Sequence, residues 1–176
     1  MTGFFDRYDS EQGDQIQEML AGVPGYACVG LHHPRDRYNI GGVMRAVHVH
    51  HARMLALSGN RFRDVATDVQ KSFKQIPVLR VSDLRAVIPY DCVPVAVERV
   101  SGAQCLFDYV HPERAFYVFG PEDSTLGRPV LDWCRDVVYV PTVGSMNLMA
   151  CVNVVLYDRN LKRFARGFEP GLETQG

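Results

Sequence analysis

Much that would identify a common enzyme class is missing from these 176 residues. No run of about 18 apolar residues occurs, so no segment reads as a membrane-spanning helix. The start, Met1-Thr-Gly-Phe-Phe-Asp-Arg7, lacks a basic stretch followed by an apolar one. That argues against a secretory leader and points to a cytoplasmic protein with no membrane partner. Five cysteines (Cys28, Cys92, Cys105, Cys134, Cys151) are scattered, odd in number and never arranged as CxxC. They exclude a disulfide framework and a zinc ribbon, and read as small buried hydrophobes. No GxGxxG follows the first strand-like run and no GxxxxGK[ST] occurs, which argues against a dinucleotide site or a P-loop. HExxH is absent too. On a helix His48 and His51 would form an i, i+3 pair beside His50, but no third ligand is near, so no metal is expected.

What is present is ordinary in bulk and uneven in detail. An apolar fraction of 47% and a charged fraction of 22% suit one globular domain with a real core. Net charge is −1, yet ten Lys/Arg stand against four acids between Cys28 and Arg85. The first 27 residues carry five acids and one arginine. A basic segment inside a neutral chain reads either as a solvated face or as a surface turned to phosphate.

Periodicity predicts an acidic arm over 1–25, with a short helix at Gln12–Leu20, and a tail over 166–176. Between them, over 26–165, strand-like runs appear at Tyr26–Leu31, Arg53–Leu57, Val78–Val81, Val93–Val100, Ala115–Phe119 and Asp136–Val140. Helical spacing is found at Ile40–Leu55, with Asn39 as a candidate cap, and at Asp64–Phe73, Ala103–Tyr109, Leu126–Cys134 and Asn147–Arg163; Ser82-Asp83-Leu84 reads as a helix start. Near-continuous apolar strands alternating with helices mean an α/β fold: a parallel sheet flanked by helices on both faces. Such sheets bind ligands at the carboxyl ends of their strands. The loops there, Gly120–Gly127 and Pro141–Asn147, are rich in Gly, Ser, Thr and Asn, so backbone groups can approach a ligand closely.

Three segments, in order, carry a family pattern. Asn39-Ile-Gly-Gly-Val-Met-Arg45 resembles an N-x-G-x-x-x-R helix start. Phe119-Gly-Pro-Glu-Asp-Ser-Thr-Leu126 is similar to an F-G-x-E-x-x-G-L loop, and Val140-Pro-Thr-Val-Gly-Ser-Met-Asn-Leu148 to an I-P-x…S-[LM]-N-[LV] loop. These resemble the signatures of the SpoU/TrmH-like branch of SPOUT RNA 2′-O-ribose methyltransferases, in a minimal, single-domain form.

The resemblance implies a deep C-terminal trefoil knot, S-adenosylmethionine (SAM) as methyl donor, a homodimer, and RNA, either tRNA or rRNA with a lean to tRNA, as substrate. It implies catalytic roles for Arg45, Asn39 and Glu122, and a SAM site lined by Val97, Gly120, Val140, Ser145, Asn147 and Leu148. Arg45 would bind the phosphate beside the 2′-OH; Asn39, Ser145 and Asn147 are also plausible helix caps. Two departures stand out. Thr125 occupies a position where the family has glycine, so a turn with positive φ would be strained there. Met149 stands where a small or polar residue is common. Alternatives are a non-catalytic RNA-binding or dimeric scaffold with a degenerate pocket, and a base-methylating enzyme of the same fold.

Overall fold

The computed structural model describes residues 10–22, 24–61 and 74–167. Helix α1 (Ser10–Gly22) precedes a parallel sheet. Its strands are β1 (Tyr26–His32), β2 (Leu55–Ser58), β3 (Val78–Val81), β4 (Val93–Val97), β5 (Gln104–Cys105), β6 (Arg114–Phe119) and β7 (Asp136–Tyr139). They lie in the order β3-β2-β1-β6-β4-β7-β5, with every pairing parallel.

Successive residues of a strand point to opposite faces, and here both faces are apolar. Ala115, Tyr117 and Phe119 of β6 share one core with Val95 and Val97 of β4, while Phe116 and Val118 share the other with Ala96. Helices α2 (Arg37–Val49) and α4 (Leu148–Gly167) close the first core through Ile40, Val43, Val47, Val152, Val155 and Leu156. A 3-10 turn at Leu84–Val87 and helix α3 (Arg128–Leu131) close the second through Leu84 and Val130. Each such side chain contributes about 1.5–3 kcal/mol when fully buried, so neither face can be left uncovered. Met149 lies across Gly42, where a Cβ would fall 2.0 Å from its sulfur. That glycine gives the methionine its place between α2 and α4.

Several predicted boundaries are corrected. The cap of α2 is Asp36, whose Oδ1 accepts the Tyr38 N–H at 2.7 Å, so the helix starts before Asn39 and leaves that side chain free for other work. The helix stops at Val49 because His51 takes φ 58°. The segment read as a helix over Ala103–Tyr109 is the two-residue strand β5, paired to β7, followed by a 3-10 turn at Leu106–Asp108. Strand β4 ends at Val97, not Val100. The helix read over Leu126–Cys134 shrinks to α3, since Gly127 (φ 70°) sets its start. That same glycine relieves Thr125, which is not among the positive-φ residues. Asp83 caps the 3-10 turn as expected of a helix start, accepting the Arg85 N–H at 3.0 Å. The helix expected over Asp64–Phe73 lies outside the described residues, as do 1–9 and 168–176. Of the cysteines, Cys28 and Cys92 are buried, the other three are half-buried, and all five are unpaired.

One buried titratable group makes the core sensitive to pH. The His111 side chain is fully buried, with Nδ1 2.6 Å from the Tyr117 hydroxyl and Nε2 2.8 Å from Asp158 Oδ2. Burial pushes its pKa down to about 4. Asp158 favours the charged ring, but Lys162 Nζ, 2.7 Å from the same carboxylate oxygen, already neutralises it. In the unfolded chain a histidine titrates near 6.5. Between pH 6.5 and 4 the unfolded state therefore binds the extra proton, and stability falls as pH falls through that window. The expected loss is up to about 3 kcal/mol. Denaturant midpoints measured across this range should flatten in His111→Gln; an unchanged slope would remove His111 as the cause.

Candidate functional site

The chain lays β1, β2 and β3 outward in one direction, then returns to place β4 two positions away on the other side, with β6 between. That reversal brings the carboxyl ends of β6, β4 and β7 side by side. A cleft of about 410 Å³ opens there, within the range of small-molecule sites. Eight of the nine residues singled out from the sequence line it: Asn39, Val97, Gly120, Glu122, Val140, Ser145, Asn147 and Leu148. Arg45 does not.

A chain of side-chain hydrogen bonds ties the three sequence segments together. Asn39, 8% exposed, donates through Nδ2 to Glu122 Oε1 at 2.9 Å. Its Oδ1 accepts from Asn147 Nδ2, also at 2.9 Å. Glu122 further accepts the backbone N–H groups of Arg35 (2.9 Å) and Asp36 (3.2 Å) at the start of α2. Burial alone would push this carboxyl up; the bonds from Asn39, Arg35 and Asp36 outweigh it and hold it below the usual range. Beside it, Asp123 accepts both terminal nitrogens of Arg61 at 2.9 and 2.6 Å, which hold its pKa at about 2. Asn147 caps α4, with Oδ1 3.3 Å from the Ala150 N–H. Ser145 is exposed on the cleft wall.

Asn39, itself buried, thus bridges two side chains that reach the surface. Asn39→Ala is expected to cost about 1–3 kcal/mol, since Glu122 and Asn147 each lose a bond in a half-buried setting. Urea melts of Asn39→Ala, Asn147→Ala and the double variant should show a coupling above about 0.5 kcal/mol. Simple additivity would mean that the two side chains do not act together.

Arg45 is exposed on α2 six residues beyond Asn39, with no hydrogen bond or ion pair among the described residues. Of the three histidines His48, His50 and His51, only His50 has side-chain partners among the described residues; His48 is exposed, and His51 Nε2 is buried without a hydrogen bond. His50 Nε2 lies 3.1 Å from Asn153 Oδ1, its ring meets Tyr157 edge-on, and its carbonyl accepts from Asn160. Among the described residues no group of three or more His, Cys, Asp or Glu is placed to hold a metal. Sequence reasoning missed Glu98 and Arg99, which line the cleft directly after β4. Two charges ending a β-branched strand were the available signal, hidden by reading that strand through to Val100.

Comparison with known proteins adds an independent observation. The family described as SpoU rRNA Methylase matches residues 26–157. No curated protein matches the sequence. Among solved structures, the SpoU methyltransferase AviRb from Streptomyces viridochromogenes is similar at 21% identity and TM-score 0.69, over 84% of this chain and 64% of that one. AviRb has also been solved in complex with AdoMet, with 19% identity and TM-score 0.69 over the same shares. This chain therefore spans less than two thirds of AviRb. The TrmH/SpoU tRNA modifying enzyme of A. aeolicus gives TM-score 0.74 at 14% identity, over 90% of this chain and 85% of that one. A structure described as giving insights into the 2-OH methylation of C/U34 on tRNA gives TM-score 0.67 at 20% identity, over 82% and 99%.

Proposed function

The chain belongs to the SpoU rRNA Methylase family, and on that premise we propose that it transfers a methyl group from SAM to a ribose 2′-OH of RNA, with tRNA as the substrate class. The observation that carries this reading is the Glu122–Asn39–Asn147 chain, which joins all three family segments at one cleft.

The residues present fit SAM. Val97, Val140 and Leu148 offer apolar wall, and Gly120 lets the backbone come close: a Cβ there would lie 3.3 Å from the Leu126 nitrogen. SAM, when bound, supplies an electrophilic sulfonium methyl. Methyl transfer needs the 2′ oxygen about 3–3.5 Å from that carbon, in line, with its proton removed. Arginine, with a pKa above about 12, is a poor base. In this reading Arg45 binds the phosphate next to the 2′-OH and stabilises the developing oxyanion. Glu122 is a carboxylate already engaged by three donors, so its part is to hold Asn39 and the start of α2 beside the cleft.

Arg45 lies outside the cleft of its own chain, so the proposal includes a homodimer in which each subunit lends this arginine to the other. An exposed apolar side supports it: Tyr38 and Val49 on α2, and Met149, Val154, Tyr157 and Leu161 on α4. The deep knot belongs to the same proposal. It would bring the third loop back against the exits of β4 and β6.

Tritiated-SAM labelling of bulk tRNA and rRNA, followed by nucleoside mapping, tests the reading. A 2′-O-methylated nucleoside from tRNA is expected. Label in a base would overturn the ribose assignment. RNA binding without SAM binding in calorimetry at millimolar SAM would replace the enzyme with a scaffold.

A further inference from the structure

Two adjacent charged residues after β4 reach to opposite sides of the cleft. Glu98 Oε2 accepts the Leu126 N–H at 2.9 Å, in the loop that follows β6. Arg99 Nη1 donates to the Gly144 carbonyl at 3.1 Å, in the loop before α4. Both side chains line the cleft, and neither belongs to the three family segments.

The dipeptide is itself anchored. The Glu98 N–H donates to the Val138 carbonyl of β7 at 2.9 Å, and Oε1 accepts the Arg99 N–H at 2.9 Å. Both carboxylate oxygens are thus engaged and the side chain has one arrangement. A Cβ on Gly120 would lie 3.6 Å from Glu98 Oε2 and 3.3 Å from both the Leu126 nitrogen and its Cγ. The glycine therefore lets loop and carboxylate meet directly. Leu126 is buried at 4% exposure in the second core, so the bond to its N–H is sheltered from water. Positive φ in this loop is taken by Gly127, not by residue 125. The loop path therefore depends on what holds Leu126, and a charged acceptor makes the stronger kind of hydrogen bond.

We propose that Glu98 and Arg99 form a clasp that fixes both cofactor loops before SAM arrives, which makes them positioning residues for methyl transfer. The inference rests on the reading of the cleft as a SAM site and adds the groups that set its affinity. Loops already ordered cost less to order on binding, so the clasp acts on cofactor affinity and not on the chemical step.

The test compares Glu98→Ala, Glu98→Gln and Arg99→Ala in the full chain. It measures SAM titration, KM for SAM against KM for RNA, and amide hydrogen exchange at Leu126 without SAM. Glu98→Ala should weaken SAM binding about 10- to 100-fold, the effect of losing a bond to a charged acceptor. Leu126 exchange should accelerate, while KM for RNA and kcat at saturating SAM stay within about twofold. Glu98→Gln keeps an acceptor oxygen and should recover most of the loss. Arg99→Ala, which leaves Glu98 intact, should weaken SAM about threefold or more through the other loop. It also stands as the second variant where Glu98→Ala fails to fold.

SAM affinity within about twofold of wild type in Glu98→Ala, with Leu126 still protected, would overturn the clasp. So would a Glu98→Gln variant no better than alanine. A wild-type protein that binds no SAM would overturn the cofactor reading instead. Leu126 exchange in Glu98→Ala would still decide whether the loop is held as described.

Discussion

Arg45→Ala is expected to lower kcat for methyl transfer by about 10³-fold while the Kd for SAM moves by less than about twofold. The large effect follows from what a guanidinium does beside a forming alkoxide: its fixed charge and paired donors act where charge develops, in a site shielded from water. The small effect follows from where Arg45 sits. It is exposed on α2, lines no part of the cleft, and holds no partner among the described residues. Its removal should therefore leave the fold, the Tm and the cofactor site intact. Lysine keeps the charge but not the planar fork, so Arg45→Lys should recover only a small part of the rate. Single-turnover methylation at saturating SAM, paired with calorimetry, separates the two quantities. Equal losses in both would mean that Arg45 belongs to the cofactor site and that its catalytic role is misassigned.

The sheet was legible in the sequence because its strands are buried on both faces. A run such as Ala115–Phe119 has no polar side and can sit only in the middle of a parallel sheet. The loops that line the cleft were legible for a related reason: glycine and small polar residues stop each strand at the same edge. What escaped was whatever depends on partners distant in the chain. Asn39 reads locally as a cap, yet Asp36 does that work, and Asn39 is spent on Glu122 and Asn147, 83 and 108 positions away. His111 looks like a loop histidine until Tyr117 and Asp158 close around it. Strand β5 is too short to carry a period and exists only because β7 pairs with it. Glu98 and Arg99 illustrate the same limit, since two charges at a strand end carry no sign of the loops they reach.

Mixing two inactive variants should restore activity if Arg45 works across a subunit interface. One variant is Arg45→Ala, with an intact cleft. The other is Gly120→Val, whose added side chain would press on Leu126 and the cleft wall while leaving Arg45 in place. Each homodimer lacks one half of every site. Co-expression with two affinity tags yields mixed dimers in which one cleft is intact and faces an intact Arg45. Random pairing makes half of all dimers mixed, and each has one working site of two, so about a quarter of the wild-type rate per subunit should return. Against a background near one thousandth, that is a recovery of roughly two orders of magnitude. An arginine acting within its own subunit gives no recovery at all, because no chain in the mixture then holds both halves. The surface on which this depends is open to a parallel attack. Tyr157 and Leu161, 61% and 53% exposed on α4, are apolar groups left facing solvent in the single chain. Charging them as Tyr157→Asp and Leu161→Glu should give a monomer by sedimentation that binds SAM normally yet methylates no faster than Arg45→Ala. A fully active monomer would remove the dimer from the mechanism and bring Arg45 back to its own cleft.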